Sequence, residues 1–184
     1  MIYNLPEKWF FLKDLEKKNL SALKKIDSNV GVIFFNKDYS SSITSFKEKS
    51  LFEFCRFNNI KFLIKGSLEI ALRLKADGIF VPINFFKKKK KNRRLICATT
   101  VHNKTEIITS NAKKVDVVFL SPAFNTKTHE KTLPLNPIKF LNLSKLIESN
   151  VFALGGINEK NFKRLKGKQL RGFGGISYFM KDIS

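Results

Sequence analysis

The sequence predicts a single α/β domain over residues 1–184, folded as a minimal closed (β/α)8 barrel. Three observations carry this expectation. Short apolar runs alternate with longer amphipathic segments along the whole chain, the pattern of βα units on a parallel sheet. The apolar runs are near-continuous, as strands buried on both faces require. Eight such runs can be drawn, the number that closes a barrel. At 184 residues the chain is short for a fold that usually takes roughly 250. The units are therefore minimal and the fourth helix is expected to be degenerate. An open doubly wound sheet of the flavodoxin kind is the alternative architecture.

The elements follow in order. Trp9–Leu12 reads as the first strand, and Leu15–Ile26 as a helix with Leu20, Leu23 and Ile26 at helical spacing. Val30–Phe35 is the second strand, followed by a helix over Phe46–Asn58 with Leu51, Phe54 and Cys55 on one face. Phe62–Ile64 and Leu68–Leu74 form the third unit. Ile79–Val81 is the fourth strand, and the irregular Pro82–Phe86 and Lys87–Arg94 segments leave little room for a helix. Leu95–Thr99 with Lys104–Ala112 is the fifth unit. Val117–Leu120 is the sixth strand, with a long loop over Ser121–Pro137 before the helix Ile138–Ser149. Val151–Leu154 with Asn161–Lys166, and Gly172–Gly175 with a helix starting at Tyr178, complete the set.

Composition narrows the function classes. No apolar run reaches the roughly 18–20 residues of a membrane helix, and Met1–Lys8 lacks a signal-peptide pattern. A cytoplasmic protein without membrane contact is expected. Cys55 and Cys97 show no metal-ligand or disulfide-framework spacing, so two buried thiols are expected and no protein metal ligands are assigned. The net charge of +20 normally points to polyanions. Here the lysines spread over the whole chain and accompany many Asn, Ile and Phe residues, all with AT-rich codons. Nucleic acid is therefore disfavoured as a partner. Phe85 and Phe86, beside the Lys87 run, are the one aromatic pair that could stack bases, and both are expected in the core.

Ligands of such barrels sit at the C-terminal ends of the strands. After the seventh strand stands Leu154-Gly-Gly-Ile-Asn158, and after the eighth Gly174-Gly-Ile-Ser177. Backbone N–H groups of Gly155, Gly156, Ile176 and Ser177 suit an anion, and these two strand ends are the usual phosphate position of the fold. The loop after the sixth strand offers Thr126, Lys127, Thr128 and His129 as hydroxyl and cationic donors. After the fifth strand, Thr99-Thr-Val-His102 places a hydroxyl at Thr100 and a histidine at His102, a residue type suited to acid–base work near neutral pH. A small phosphorylated molecule is the expected partner.

Taken together, Thr99–His102, Val117–Thr128, Leu154–Asn161 and Gly175–Ser177 occur in the order and spacing of the thiamine-phosphate synthase/TenI family, which the chain resembles. Phe62–Ile64, Leu68–Leu72 and Ala76–Ile79 also fit. The resemblance implies a TIM-type barrel acting on hydroxyethyl-thiazole phosphate. In the synthase branch an aminopyrimidine diphosphate loses diphosphate with Mg2+ help, and the thiazole nitrogen attacks the resulting cation. In the TenI branch a thiazole tautomer is isomerised to its aromatic form. Thr126, Thr128, Gly156, Ile176 and Ser177 match the family's thiazole-phosphate contacts. Thr100 matches a hydroxyl near the reacting centre, and His102 matches the histidine of TenI-type enzymes.

The diphosphate half departs from the family. Phe34, Asn36 and Asp38 stand where a Gln-x-Arg-x-Lys set would, and Lys65-Gly66-Ser67 where Asn-Asp-Arg would. Asn84 replaces a metal-binding aspartate, and His129 the threonine loop's trailing lysine. Both expected metal carboxylates are missing, which leaves the need for Mg2+ open. One reading gives the diphosphate to the Lys87–Lys91, Arg93, Arg94 run with Lys65; the other leaves that run as a solvated surface. The expected function is a divergent synthase, with a TenI-like tautomerase and a non-catalytic phosphate-binding barrel as alternatives. Oligomeric state is left open.

Overall fold

The computed structural model describes residues 4–35, 46–86, 95–125, 134–165, 167 and 169–180. Eight parallel strands close into one barrel in sequence order. They are β1 Lys8–Leu12, β2 Val30–Phe34, β3 Phe62–Lys65, β4 Gly78–Phe80, β5 Ile96–Val101, β6 Val117–Leu120, β7 Asn150–Leu154 and β8 Leu170–Gly175. The helices are α1 Lys17–Leu23, α2 Phe46–Phe57, α3 Leu68–Arg73, α4 Lys104–Ala112, α5 Pro137–Ser144 and α6 Glu159–Phe162. Pairing of Trp9 with Gly174 closes β1 onto β8, so the open doubly wound alternative is excluded. After β4 comes a single 3-10 turn, Ile83–Phe85, in line with a degenerate fourth helix. The Lys87–Arg94 run lies outside the described residues. A second 3-10 turn, Ser177–Met180, stands where the eighth helix would be.

Three helices differ from their sequence limits by more than one residue, each for a local reason. α1 stops at Leu23 and not Ile26, because the N–H groups of Lys25 and Ile26 tighten onto Ala22 and Leu23. α5 stops at Ser144 in the same way, through Leu146 to Leu143 and Ile147 to Ser144. α6 starts early, at Glu159, because Asn158 and Asn161 form a reciprocal capping box.

Strand residues divide between two cores. Trp9, Phe11, Ile33, Leu63, Phe119 and Phe152 fill the barrel interior with their neighbours. Residues of the opposite parity face the helices in two clusters. One spans β1–β4 with α1–α3, the other β5–β8 with α4–α6. The interior is crowded: a Cβ on Gly31 would stand 2.5 Å from Trp9 Cε3, and one on Gly174 would stand 2.6 Å from the Phe11 ring. Aromatic bulk from β1 therefore faces strands that present only hydrogen.

A device at the N-terminal end of the barrel occurs twice, and its sequence trace is Lys75-Ala-Asp-Gly-Ile-Phe80 and Lys114-Val-Asp-Val-Val-Phe119. In each copy the helix ends on a left-handed lysine, at φ 53° and 50°. Two residues on, an aspartate clamps the preceding strand. Asp77 accepts the Phe62 N–H at 2.9 Å, and Asp116 accepts the Cys97 N–H at 2.9 Å. Each Asp N–H also donates to the carbonyl of the residue it clamps. Both bonds set strand register, so these acids are structural.

The two thiols differ. Cys55 is buried on α2, whereas Cys97 is partly exposed, a correction to the expectation of two buried thiols. Its strand neighbours do not cover it fully on the helix side. Burial, with a smaller contribution from the Asp77 charge, pushes the Cys55 thiol up to about 12. In a Cys97→Ser variant at pH 8, Cys55 is expected to resist a thiol-disulfide reagent until the protein is unfolded, because thiolate is the reactive form. Rapid labelling of the folded variant would contradict this placement.

Candidate active site

The strands deliver two chemically distinct halves to their C-terminal ends. Over β1, β2 and β4 the barrel is topped by rings: Phe11 packs against Phe35, Phe80 and Phe119 at centroid distances of 5.9, 5.4 and 5.0 Å. Phe35 and Phe80 remain partly exposed. Lys65 ends β3 two residues after the interior Leu63, so it shares that inward face. Asn84 is exposed in the 3-10 turn. Ser67 caps α3 by accepting the Ile70 N–H.

The other half is polar. Thr100 stands two residues after the interior Ala98 and therefore faces inward. Thr99 points the other way, and its hydroxyl donates to the Val81 carbonyl at 2.7 Å, tying β5 to the chain beyond β4. His102 Nδ1 lies 3.0 Å from the Ser121 carbonyl oxygen. A carbonyl only accepts, so Nδ1 carries a proton, and Nε2 has no hydrogen-bond partner among the described residues. His102 does not cap the next helix. Asn103 does, accepting the Glu106 N–H, while Glu106 accepts the His102 backbone N–H at 2.7 Å. The histidine is thus held from its backbone and from one ring nitrogen.

The turns after β7 and β8 are neighbours, because Leu154 pairs with Gly174. Gly155 and Gly156 adopt φ of +93° and +63°, conformations that glycine takes at no steric cost. The β6 exit packs onto them, with the Ala123 N–H on Leu154 O at 2.9 Å and the Phe124 N–H on Gly155 O at 3.0 Å. The N–H groups of Gly155, Gly156, Ile176 and Ser177 donate to no acceptor among the described residues. Such orphan donors around two turns have the form of a nest, which suits an anion.

A side-chain network fixes these turns from outside the barrel. Glu159 accepts hydrogen bonds from Lys8 Nζ at 2.7 Å and from the Tyr178 hydroxyl at 2.6 Å. The Lys8 hydrogen bond, then that of Tyr178, holds the Glu159 carboxyl below its usual value. Tyr178 follows Ser177 directly, so the network joins the two nest segments to β1. Sequence reasoning missed this network and the role of Ser121. The Asn158-x-x-Asn161 pair was the one local signal, as a capping pattern directly after the glycines.

Of the predicted site residues, Thr100 near the end of β5, His102 just after it, Gly155 and Gly156 after β7, and Ile176 and Ser177 after β8 stand at one end of the barrel. Thr126, Thr128 and His129 lie outside the described residues, as do Asn36 and Asp38. Phe85, expected in the core, is 75% exposed, because it sits on the outer side of a three-residue turn. Phe86 packs against the core as expected.

This geometry defines a (β/α)8 barrel with a polar half at the mouth. Comparison with known proteins then places it. The TMP-TENI family profile, described as thiamine monophosphate synthase, matches residues 16–179, and the chain belongs to that family as a divergent member. It is 26% identical over 177 residues to the thiamine-phosphate synthase of Persephonella marina, covering 92% of this chain and 85% of that protein. It is 31% identical over 116 residues to that of Prochlorococcus marinus subsp. pastoris, covering 61% of this chain but 33% of that protein. The matched segment spans between 33% and 66% of the length of three such relatives. The fold matches thiamine phosphate pyrophosphorylase from Pyrococcus furiosus with a TM-score of 0.70 at 18% identity, over 96% of this chain and 88% of that one. No helix among the described residues is long and apolar enough to cross a membrane.

Proposed function

We propose that this chain is a cytoplasmic thiamine-biosynthetic transferase that binds hydroxyethyl-thiazole phosphate and joins it to an aminopyrimidine diphosphate. The observation that carries the proposal is the pair of adjacent turns with four N–H groups that lack acceptors among the described residues. A phosphate brings only acceptor oxygens at neutral pH and fits a donor-only nest. A phosphate seated there puts the rest of the ligand toward β5, where Thr100 and the free Nε2 of His102 stand. The roles of Thr126, Thr128 and His129 as further phosphate donors rest on the family resemblance.

The second substrate would enter over Phe35, Phe80 and Lys65. Aromatic faces accept a planar ring, and an inward ammonium accepts diphosphate oxygens. Among the described residues no group of three or more His, Cys, Asp or Glu side chains is placed to hold a metal ion. Asp14, beyond β1, already accepts from the Glu16 N–H and from Asn19. Gly66 and Asn84 stand where the family's metal carboxylates would, so the described residues do not fit a carboxylate-held Mg2+. The same aromatic half favours a second reading, a TenI-like tautomerase. One substrate would then fill the polar half, and His102 would move the proton.

Turnover of purified protein with both substrates, with and without Mg2+, separates the readings. Thiamine phosphate is the expected product, and a His102→Gln variant is expected to lower kcat at least tenfold with little change in KM for the thiazole. Absence of thiamine phosphate with tautomer conversion intact would move the assignment to the isomerase. Thiazole phosphate binding without either reaction would leave a phosphate-binding barrel.

A further inference from the structure

On the flank of the barrel away from the mouth, a groove of about 770 Å3 lies between the C-terminal ends of α2 and α3. Asn59 and Lys61, just before β3, and Asp77, just before β4, line it, so it opens at the N-terminal ends of the strands. Five cations line it: Lys49, Arg56, Lys61, Arg73 and Lys75. The opposing carboxylates are Glu53 and Asp77.

Asp77 is already engaged. It takes Lys61 Nζ at 2.8 Å on one oxygen and the Phe62 N–H at 2.9 Å on the other. Among the described residues, Lys49, Arg56, Arg73 and Lys75 stand in no ion pair. Part of this charge serves the helices: two C-termini present roughly −0.5 each, about −1 in total. Five cations against two carboxylates still exceed that amount. The groove keeps a positive excess in a concave, partly walled space, where field lines focus. Its volume is that of a small-ligand site. Phe52, Phe62 and Leu74 provide an apolar floor. Phe57, one residue beyond Arg56 on α2, is 88% exposed and presents an aromatic face to solvent.

We propose that this groove is a second anion site that binds a polyphosphate chain, held by Arg56, Arg73, Lys75 and Lys49. Guanidinium groups on two separate helices can each take phosphate oxygens in a bidentate manner. A chain of phosphates spans both where a single phosphate reaches one. Two sources share this chemistry, an inorganic polyphosphate and a nucleoside triphosphate, and Phe57 distinguishes them by offering a face to a base. The position on the opposite end of the strands makes binding there compatible with an occupied mouth.

The test is calorimetric titration of the full chain with tripolyphosphate and separately with ATP, at about 0.15 M salt to suppress diffuse binding. Wild-type protein is expected to bind tripolyphosphate saturably, and Arg56→Gln/Arg73→Gln to weaken it at least tenfold. Both arginines are exposed, so far-ultraviolet circular dichroism should confirm an unchanged fold. The control Lys139→Gln/Lys145→Gln, on α5 and at its C-cap across the barrel, removes the same charge and is expected to change affinity less than twofold. Tighter ATP binding that is lost in Phe57→Ala assigns a nucleotide. Equal affinity for both probes assigns the phosphate chain alone. No saturable binding, or equal weakening by the control pair, overturns the site and leaves the charge as a bulk property.

Discussion

Replacing Trp9 with alanine is expected to destabilise the protein by about 3–5 kcal/mol, the range for truncating a large buried aromatic. Trp9 is fully buried at the base of the barrel interior. Its ring meets Phe119 and Phe152 edge-on, both at 6.1 Å, and lies against Gly31, which gives way to it. The surrounding strands are joined all round, so they cannot collapse into the void as an open sheet edge could. Against a total stability of roughly 5–15 kcal/mol, the loss leaves little or no folded protein at the lower end. Trp9→Phe should behave differently. The Trp9 Nε1 has no hydrogen-bond partner among the described residues, and leaving a buried donor unmet costs about 1–3 kcal/mol. Phenylalanine gives up contact area but removes that donor, so the variant should stay within about 1.5 kcal/mol of wild type. Urea unfolding followed by circular dichroism measures both, since the chain has a single tryptophan and its fluorescence is lost with it. A Trp9→Ala cost below about 1.5 kcal/mol would mean that the interior relaxes around the gap.

The same interior explains what could be read in advance and what could not. Strands such as Val30–Phe34 are apolar at every position, which identifies a doubly buried strand. It cannot say which residues point inward, because no polar alternation marks the faces. Closure was legible from the number of units, and the turns after β7 and β8 from glycine pairs at two particular strand ends. The geometry around His102 was not. His102 is positioned by the carbonyl of Ser121, which is 19 residues away and carries no side-chain signature for that task. The Lys8–Glu159–Tyr178 network joins residues 151 and 19 positions apart, and each alone reads as an ordinary surface side chain. The paired Asp77 and Asp116 clamps were hidden for a related reason. A lone aspartate before a strand has many uses, and only its backbone bonds reveal one.

Gly156→Ala is expected to weaken binding of hydroxyethyl-thiazole phosphate by a factor of ten to a hundred or more, about 1.4–2.7 kcal/mol, with a further loss of stability. The turn is over-determined at this residue. Its φ of +63° is left-handed, which costs an alanine about 1 kcal/mol. An added Cβ would also stand 2.1 Å from the Asn125 carbonyl oxygen and 2.8 Å from that of Phe124. Those oxygens are backbone, so relief requires moving the β6 exit or rotating the turn. Rotation would turn away the N–H groups of Gly155 and Gly156. Movement of the exit would break the Phe124 bond to Gly155 and shift Ser121, whose carbonyl orients His102. Either route damages the nest, and the second also displaces His102. Gly155→Ala should be milder, because its nearest contact is Pro122 Cα at 3.2 Å, although its φ of +93° is still unfavourable. Gly175→Ala should be nearly silent, with only Tyr178 Cβ at 3.6 Å. The graded series protects the test against simple misfolding: affinity should fall in the order Gly175, Gly155, Gly156 while circular dichroism reports the folded fraction. Thiazole phosphate bound with wild-type affinity by folded Gly155→Ala and Gly156→Ala would place the phosphate elsewhere. It would also remove the observation on which the biosynthetic reading rests.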